Sequence, residues 1–357
     1  MRRLPIFLLI DVSESMVGIN HYKLEEGLQT ITTTLRQDPY ALETAFLSVI
    51  VFAGRARTIV PLTDIATFYP PELPIGGGTS LGVALNHLMD EIDKSVKRSS
   101  DNQKGDWKPI IFLLTDGHPT DKVNEAIDRW NKFYSKSASI IAISIGDGAD
   151  NTLLKKITEE IIIFDHSKPE AFSKLINWVS DSIRSQSRSV NEGKNSKVSL
   201  SKNDSEVLFS FDPKHGVTKF GSLDDRFAFF VGRCSVNGLP YIVKYSRHYG
   251  QIQTSDLVLK ELLSEREFVF ETVMNLKQSY FELSDENLEV ESISTENLIG
   301  QPSCPQCNAV FGMAICGCNK VHCLTGSGRS TCPWCGNTGE YVKTELGQGV
   351  DIDRGIG

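Results

Sequence analysis

No stretch of this chain approaches the about 18 consecutive apolar residues that a membrane helix needs, so no membrane span is expected. Positive charge is in short supply. The 37 Lys and Arg are outnumbered by 45 Asp and Glu, a formal net charge of −8, which argues against a general nucleic-acid binder. Cysteine is nearly absent before residue 304. Cys234 stands alone, and the other seven of the eight lie between Cys304 and Cys335. Such clustering suggests metal ligation rather than a disulfide framework. The glycine run Gly76-Gly77-Gly78 lacks the Gly-Lys-Ser/Thr ending of a phosphate loop, so it reads as a flexible approach to Thr79. No internal repeat of solenoid period is present. Met1-Arg2-Arg3 and the apolar residues 4–10 mimic a short signal peptide. That run ends in Asp11 with no small-residue cleavage pattern, so it reads as a core strand. Thiolate ligands and the missing signal peptide together suggest a cytoplasmic location.

The 357 residues, 40% hydrophobic and 23% charged, suit a soluble protein of two or three domains. Residues 1–186 alternate strand-like and helix-like segments. Strands are predicted at 4–10, 46–52, 57–62, 110–114, 139–145 and 161–164. Helices are predicted at 22–36, 81–92, 120–134 and 169–183. This alternation predicts a doubly wound α/β domain with a mostly parallel sheet covered on both faces. Residues 187–206, dominated by Ser, Asn and Lys, read as a flexible linker. Residues 207–300 read as a small β-rich module, with a hairpin signal at Asn237-Gly238 and mixed periodicity over 256–283. Residues 301–342 form a cysteine-rich module, and the Gly-rich residues 343–357 read as a disordered tail.

Three segments fall just after predicted strands or in a glycine loop: Asp11-Val12-Ser13-Glu14-Ser15, Thr79, and Thr115-Asp116-Gly117. Parallel strands bring their carboxyl ends to one edge of the sheet, where open α/β folds bind ligands. Asp11, Ser13, Ser15, Thr79 and Asp116 make an all-oxygen set suited to a hard cation, Mg²⁺ or Mn²⁺. Ser13, Ser15 and Thr79 would be neutral ligands. If Asp11 and Asp116 act through water, the ion keeps most of its charge and favours a carboxylate from a partner protein. The plainer reading is that Ser13 and Ser15 cap a helix and Asp116 opens a turn. The five positions, in this order, resemble the metal-ion-dependent adhesion site of von Willebrand factor A domains.

Cys304-Pro-Gln-Cys307 and Cys332-Pro-Trp-Cys335 are two knuckles with zinc-ligand spacing. Paired across the intervening residues, they predict one structural zinc in a zinc ribbon. Cys316, Cys318, His322 and Cys323 lie between them and could hold a second zinc, or be core thiols and a surface imidazole. Cys234 on its apolar strand reads as a core thiol. His166 and His248 have no companions at ligand spacing.

An N-terminal von Willebrand A domain with a C-terminal Cys-Pro-x-Cys, Cys-Gly-Cys, His-Cys and Cys-Pro-Trp-Cys-Gly module resembles the bacterial TerY family. The segment Leu35-Arg-Gln-Asp-Pro-Tyr-Ala-Leu42 is also similar to it. The resemblance implies a role in tellurite and chemical-stress resistance. It also implies a non-enzymatic protein working beside a Ser/Thr kinase and a metal-dependent protein phosphatase. Two other readings compete with such an adaptor. A Mg²⁺-dependent phosphohydrolase would need His118 or Asp121 beside the ion, and the hydroxyl-rich ligand set lacks the bridging carboxylates of a two-metal site. Nucleic-acid binding by the zinc ribbon would rest on Lys320, Arg329, Phe311 and Trp334, too little positive charge for a strong footprint.

Overall fold

The structure, a computed structural model, describes residues 2–100, 104–145, 149–164, 171–191, 208–210, 226–247, 268–285, 291–342 and 349–355. The chain divides into two compact units, Met1–Leu73 with Thr79–Ser222 and Pro74–Gly78 with Leu223–Gly357.

The first unit is built on a seven-stranded sheet. Its strands are β1 (Leu4–Asp11), β2 (Ala45–Phe52), β3 (Ala56–Asp64), β4 (Ile110–Thr115), β5 (Ser139–Ile145), β6 (Glu160–Phe164) and β7 (Leu208–Ser210). Their order is β3-β2-β1-β4-β5-β6-β7. The five inner strands are parallel, and β3 and β7 are antiparallel edges. Every residue of β1 and β4 is buried, which is why these strands read as unbroken apolar runs rather than alternating ones.

Helices cover both faces: α1 (Ile19–Gln37), α2 (Pro39–Thr44), α3 (Leu81–Ser95), α4 (Asn124–Phe133), α5 (Asn151–Leu154) and α6 (Ala171–Asn191). Phe7, Leu9, Ile111 and Leu113 share a core with Leu85, Leu88, Ile127 and Trp130 of α3 and α4. Phe112, one residue out of phase, meets Trp178 of α6 edge-on, as the period of two along a strand requires. The sequence missed α2, too short to show a period. It also ended α6 early: the helix runs to Asn191, into the expected linker, whose remaining residues lie outside those described. And β7, expected in the second module, pairs with β6 in the first sheet.

The segment 35–42 has a structural role. Asp38 ends α1 and caps α2, accepting from the amides of Tyr40 and Ala41 at 3.0 Å each. Pro39 follows at the first helical position, where its missing N–H costs nothing. The other carboxylate oxygen of Asp38 takes Arg188 at 2.9 Å and Arg184 at 3.1 Å, both from α6. Burial alone would raise this carboxyl. The Ala41 amide and the two guanidinium groups outweigh burial and hold its pKa below the usual 3.8. A lowered carboxyl pKa contributes stability above about pH 4 that is lost as pH falls through the folded value. Asp38→Ala should therefore cost about 2 kcal/mol in urea unfolding at pH 7. The gap to wild type should narrow toward pH 3; a gap independent of pH would reject the ion-pair account.

The second unit does not separate into a β-rich module and a ribbon. Its six-stranded sheet has the order β12-β10-β9-β8-β14-β13 and takes strands from both expected regions. These are β8 (Phe227–Arg233), β9 (Pro240–Ser246), β10 (Phe268–Asn275), β12 (Leu298–Ile299), β13 (Phe311–Ile315) and β14 (Val321–Leu324). A short helix, α7 (Ser279–Leu283), follows β10. Two ribbons complete the unit: β11 (Glu291–Ser294) with β17 (Asp351–Arg354), and β15 (Gly328–Thr331) with β16 (Thr338–Tyr341). Strand β17 lies in the expected disordered tail. It is held by the buried Ile352 and by Arg354, which pairs with Glu291 at 2.5 Å and approaches the Phe268 ring. Residues 343–348 of that tail lie outside the described residues. At the centre of the sheet, Gly232 leaves room for the buried Tyr241 ring; a Cβ there would stand 2.2 Å from Tyr241 Cζ.

Candidate metal centres

The first candidate site sits where the strand order reverses. β1 has β2 on one side and β4 on the other, so the carboxyl ends of β1 and β4 open a crevice at a topological switch point. Asp11 is the last residue of β1, and Asp116 immediately follows β4. Both are buried, with Ser13, Ser15 and Thr79.

A continuous hydrogen-bond chain joins four of the five. The Ser13 amide donates to Asp11 Oδ1 at 2.9 Å. The Ser13 and Ser15 hydroxyls are 2.9 Å apart, and Ser15 donates to Asp116 Oδ1 at 2.6 Å. Thr115 donates to the other Asp11 oxygen at 2.6 Å. Thr79 enters from the start of α3. A clamp on Thr120 sets its backbone: the Thr79 amide donates to Thr120 Oγ1 at 3.0 Å, and the Thr120 amide donates back to Thr79 O at 2.9 Å. Asp121 secures the same joint by accepting from the amides of Gly82 and Val83 at the start of α3. Burial raises the Asp121 carboxyl despite those amides. Thr120 and Asp121 thus fix the Thr79 loop against the Asp116 loop, a role the sequence did not reveal.

Two observations bear on a cation here. Thr79 Oγ1 is buried and has no hydrogen-bond partner among the described residues, an arrangement that costs free energy unless something else engages the oxygen. It points into the cluster: a Cβ on Gly117 would lie 3.3 Å from Thr79 Oγ1 and 3.8 Å from Ser15 Oγ, so the glycine keeps a side chain out of the shared space. Second, burial and the facing Asp116 push Asp11 up to about 7, against hydrogen bonds from Ser13 and Thr115. Two carboxyl groups so placed gain from a positive charge between them. The donor set, carboxylates and hydroxyls only, fits a hard divalent cation.

The cysteines form two other groups, paired differently from the expectation. Cys234, Cys304, Cys307 and Cys323 make one; Cys316, Cys318, Cys332 and Cys335 make the other. Within each, four sulfurs lie within 4.8 Å of one another. All eight are free thiols. The sulfurs stand 3.6 Å apart for Cys307–Cys323, 3.7 Å for Cys316–Cys335 and 3.9 Å for Cys318–Cys332. Four sulfurs about 2.3 Å from a tetrahedral zinc stand about 3.8 Å apart, so each group has the spacing of a zinc site.

The two Cys-x-x-Cys knuckles, expected to share one zinc, therefore fall in different groups. The reason is the sheet. β14 runs parallel to β8 with Val321 opposite Gly232 and His322 opposite Arg233, so the next residues, Cys323 and Cys234, come side by side. Cys234 is a member of a tetrad and not an isolated core thiol. Its turn has the knuckle pattern. The residue four on donates to the cysteine carbonyl from Gly238, Asn308 and Gly336, and all three have positive φ. His322 is not in either group. It is fully buried, with Nδ1 3.1 Å from Ser235 Oγ and Nε2 2.8 Å from Tyr341 Oη.

The thiols differ in poise. Burial raises Cys304, Cys323 and Cys332, and raises Cys318 to about 12. The Cys318 amide and, after it, the Tyr341 hydroxyl bring Cys316 down to about 7 against burial.

Residues 6–177 match the von Willebrand factor type A domain, and residues 224–357 match the TerY-C metal binding domain. The chain has the TerY-like architecture. Its α/β domain with a mostly parallel sheet is followed by a β-rich module whose cysteine clusters could bind zinc. Among solved structures, it is similar to proximal thread matrix protein 1 from the mussel byssus, at 20% identity over 50% of this chain and 48% of that one, TM-score 0.38. It is also similar to a von Willebrand factor type A protein from Catenulispora acidiphila, at 16% identity over 52% of this chain and 43% of that one, TM-score 0.38. The ArnB paralog VWA2 from Sulfolobus acidocaldarius is 12% identical over 80% of this chain and 70% of that one, TM-score 0.36. This TerY-like chain thus spans about half the length of the first two, 48% and 43%. Among its described residues no helix is long and apolar enough to cross a membrane.

Proposed function

We propose that this TerY-like protein is a non-catalytic, metal-dependent interaction adaptor. The observation that supports this reading most is the buried, unpartnered Thr79 hydroxyl aimed at the hydroxyl and carboxylate cluster. Asp11, Ser13, Ser15, Thr79 and Asp116 would hold Mg²⁺ or Mn²⁺, which would supply an open position for a carboxylate oxygen from a partner protein. The chain's own residues prepare that position. Thr115 and the Ser13 amide occupy Asp11 and orient it, while Thr120 and Asp121 hold the Thr79 loop at the crevice.

The hydrolase reading loses ground on one residue. Asp121, its candidate base with His118, is engaged by the α3 amides. The zinc-organised unit would add a second contact surface on the same chain and raise the effective concentration of any complex. From the TerY-like architecture we take the partner to be a Ser/Thr kinase or a protein phosphatase of a tellurite or chemical-stress response. Zinc-bound thiolates suit a reducing compartment such as the cytoplasm.

Calorimetry should give one Mg²⁺ per wild-type chain and none for the Asp11→Ala, Asp116→Ala double variant; undiminished binding there would reject the site. Partner capture from cells of origin should fall with EDTA and with Thr79→Ala, and Mg²⁺ should restore it only in the wild type. Capture indifferent to both treatments would reject the adhesion mechanism.

A further inference from the structure

The two cysteine tetrads differ in how far solvent reaches them. Cys234, Cys304 and Cys323 are buried, and Cys307 is half-buried. The first three belong to the core that holds Phe230, Tyr241 and Phe268, and Cys307 packs against it. In the other group Cys335 is exposed, Cys316 and Cys318 are half-buried, and only Cys332 is buried. None of these four belongs to that core. They sit on two turns. Cys316 and Cys318 flank Gly317 between β13 and β14, and Cys332 and Cys335 form the knuckle between β15 and β16. A Cβ at Gly317 would meet no atom within 4 Å, so the first turn stands open. The exposed Cys335 sulfur is 3.7 Å from that of Cys316, and the Cys332 sulfur is 3.9 Å from that of Cys318.

A small oxidant reaches this tetrad first. Cysteine oxidation follows thiolate character and exposure. With zinc bound, the sulfurs of both groups share the first property, so exposure separates them. With a hydroperoxide as oxidant the steps balance. The Cys335 sulfur attacks one peroxide oxygen, the O–O bond breaks, and hydroxide leaves with the electron pair. Cys335 is then a sulfenic acid. The Cys316 sulfur attacks it, the S–O bond breaks, and a second hydroxide leaves. The two sulfurs have each lost one electron, and the two peroxide oxygens have each gained one. Sulfurs 3.7 Å apart need to close by only about 1.7 Å to reach disulfide length. A second peroxide joins Cys318 to Cys332 in the same way. Four thiolates and two molecules of hydrogen peroxide thus give two disulfides and four hydroxides, and no thiolate is left in the group to hold an ion.

We propose that the Cys316–Cys318–Cys332–Cys335 group is an oxidation switch: a hydroperoxide converts it to disulfides and releases its zinc, while the buried Cys234 group keeps its own. The switch rests on the reading of both tetrads as zinc sites. Its knuckle carries a reporter. Trp334 lies between Cys332 and Cys335 and donates from Nε1 to Val321 O at 2.6 Å. The Arg233 guanidinium stands 4.1 Å from the Trp334 ring centroid, and Phe281 of α7 meets the ring edge-on. Drawing Cys335 to Cys316 and Cys332 to Cys318 reshapes the turn that holds this ring. Oxidation therefore alters the surface around β15, β16 and Trp334 and spares the six-stranded sheet.

The test uses the full-length protein. Zinc is counted first in the reduced state, where two ions per chain are expected. Hydrogen peroxide is then added with a zinc-sensitive dye present. One ion should be released, with a change in tryptophan fluorescence that is absent from Trp334→Phe. Alkylation and peptide mapping should find Cys316–Cys335 first and Cys318–Cys332 after it, with Cys234, Cys304, Cys307 and Cys323 still open to alkylation once the protein is denatured. A thiol reductant and added zinc should restore the count to two. Release of both ions together, disulfides that include the Cys234 group, or sulfinic and sulfonic acids in place of disulfides would overturn the switch while leaving the zinc sites standing. Fewer than two ions in the reduced protein would overturn the zinc reading and the switch together.

Discussion

Replacing Cys234 by serine is expected to lower the zinc content from two ions per chain to one, although Cys234 lies 70 residues before the nearest other cysteine. It is the fourth corner of the group with Cys304, Cys307 and Cys323. A structural zinc supplies an apparent about 10–16 kcal/mol in small peptides. A whole domain is stable by only about 5–15 kcal/mol. Loss of that ion should therefore loosen the second unit around its shared core, which includes Cys234, Cys304 and Cys323 beside Phe230, Tyr241 and Phe268, while the other tetrad keeps its ion. The first unit has its own core and should stay folded. Elemental analysis gives the zinc count, and limited proteolysis should cut the 224–357 region while sparing 6–177. Chelation of the wild type should produce the same pattern. If Cys234→Ser retains two zinc ions, the two Cys-x-x-Cys knuckles share an ion after all, and the interleaved arrangement is wrong.

That interleaving shows where the sequence stops being informative. The inner strands of the first unit were legible because parallel strands buried on both faces are written as continuous apolar runs. Four of the oxygen cluster's residues, Asp11, Ser13, Ser15 and Asp116, were legible because they sit at or just past the ends of those runs, while Thr79 follows a glycine loop. The cysteine partners were not, since they depend on the parallel register of β14 on β8, a pairing across about ninety residues with no local signature. Asn237-Gly238 was read as a hairpin turn, and it is one, joining β8 to β9. The same turn is also half a knuckle around Cys234. A comparison of Cys234-Ser-Val-Asn-Gly238 with Cys332-Pro-Trp-Cys-Gly336 offers the one local hint: a glycine four residues after the cysteine in both. The order of the tail was equally hidden. β17 has one buried apolar side chain, Ile352, and its anchor, Arg354, reads in sequence as a surface charge.

The remaining large effect concerns the price of keeping two carboxyl groups ready for a cation. Burial and the facing Asp116 raise Asp11 from 3.8 to about 7. The sign follows from proton counting. Between pH 4 and 7 the folded state keeps a proton that the unfolded chain has released, so stability falls as pH rises through this window and is flat above it. At about 1.4 kcal/mol per pH unit, the full penalty is about 4 kcal/mol in the metal-free protein. Asp116→Asn removes the facing charge but not the burial, which is the larger cause, so it should recover about 1–2 kcal/mol. In the metal-free state at pH 8 this variant should melt about 3–6 °C above the wild type, and the difference should vanish near pH 4. Mg²⁺ should reverse the ranking, raising the wild-type melting temperature in proportion to its binding and leaving the variant nearly unmoved. A variant less stable than wild type at pH 8 without metal would mean that Asp116 serves the fold through its contact with Ser15 rather than being held in readiness for a cation. A variant that Mg²⁺ stabilises as much as the wild type would place the ion elsewhere.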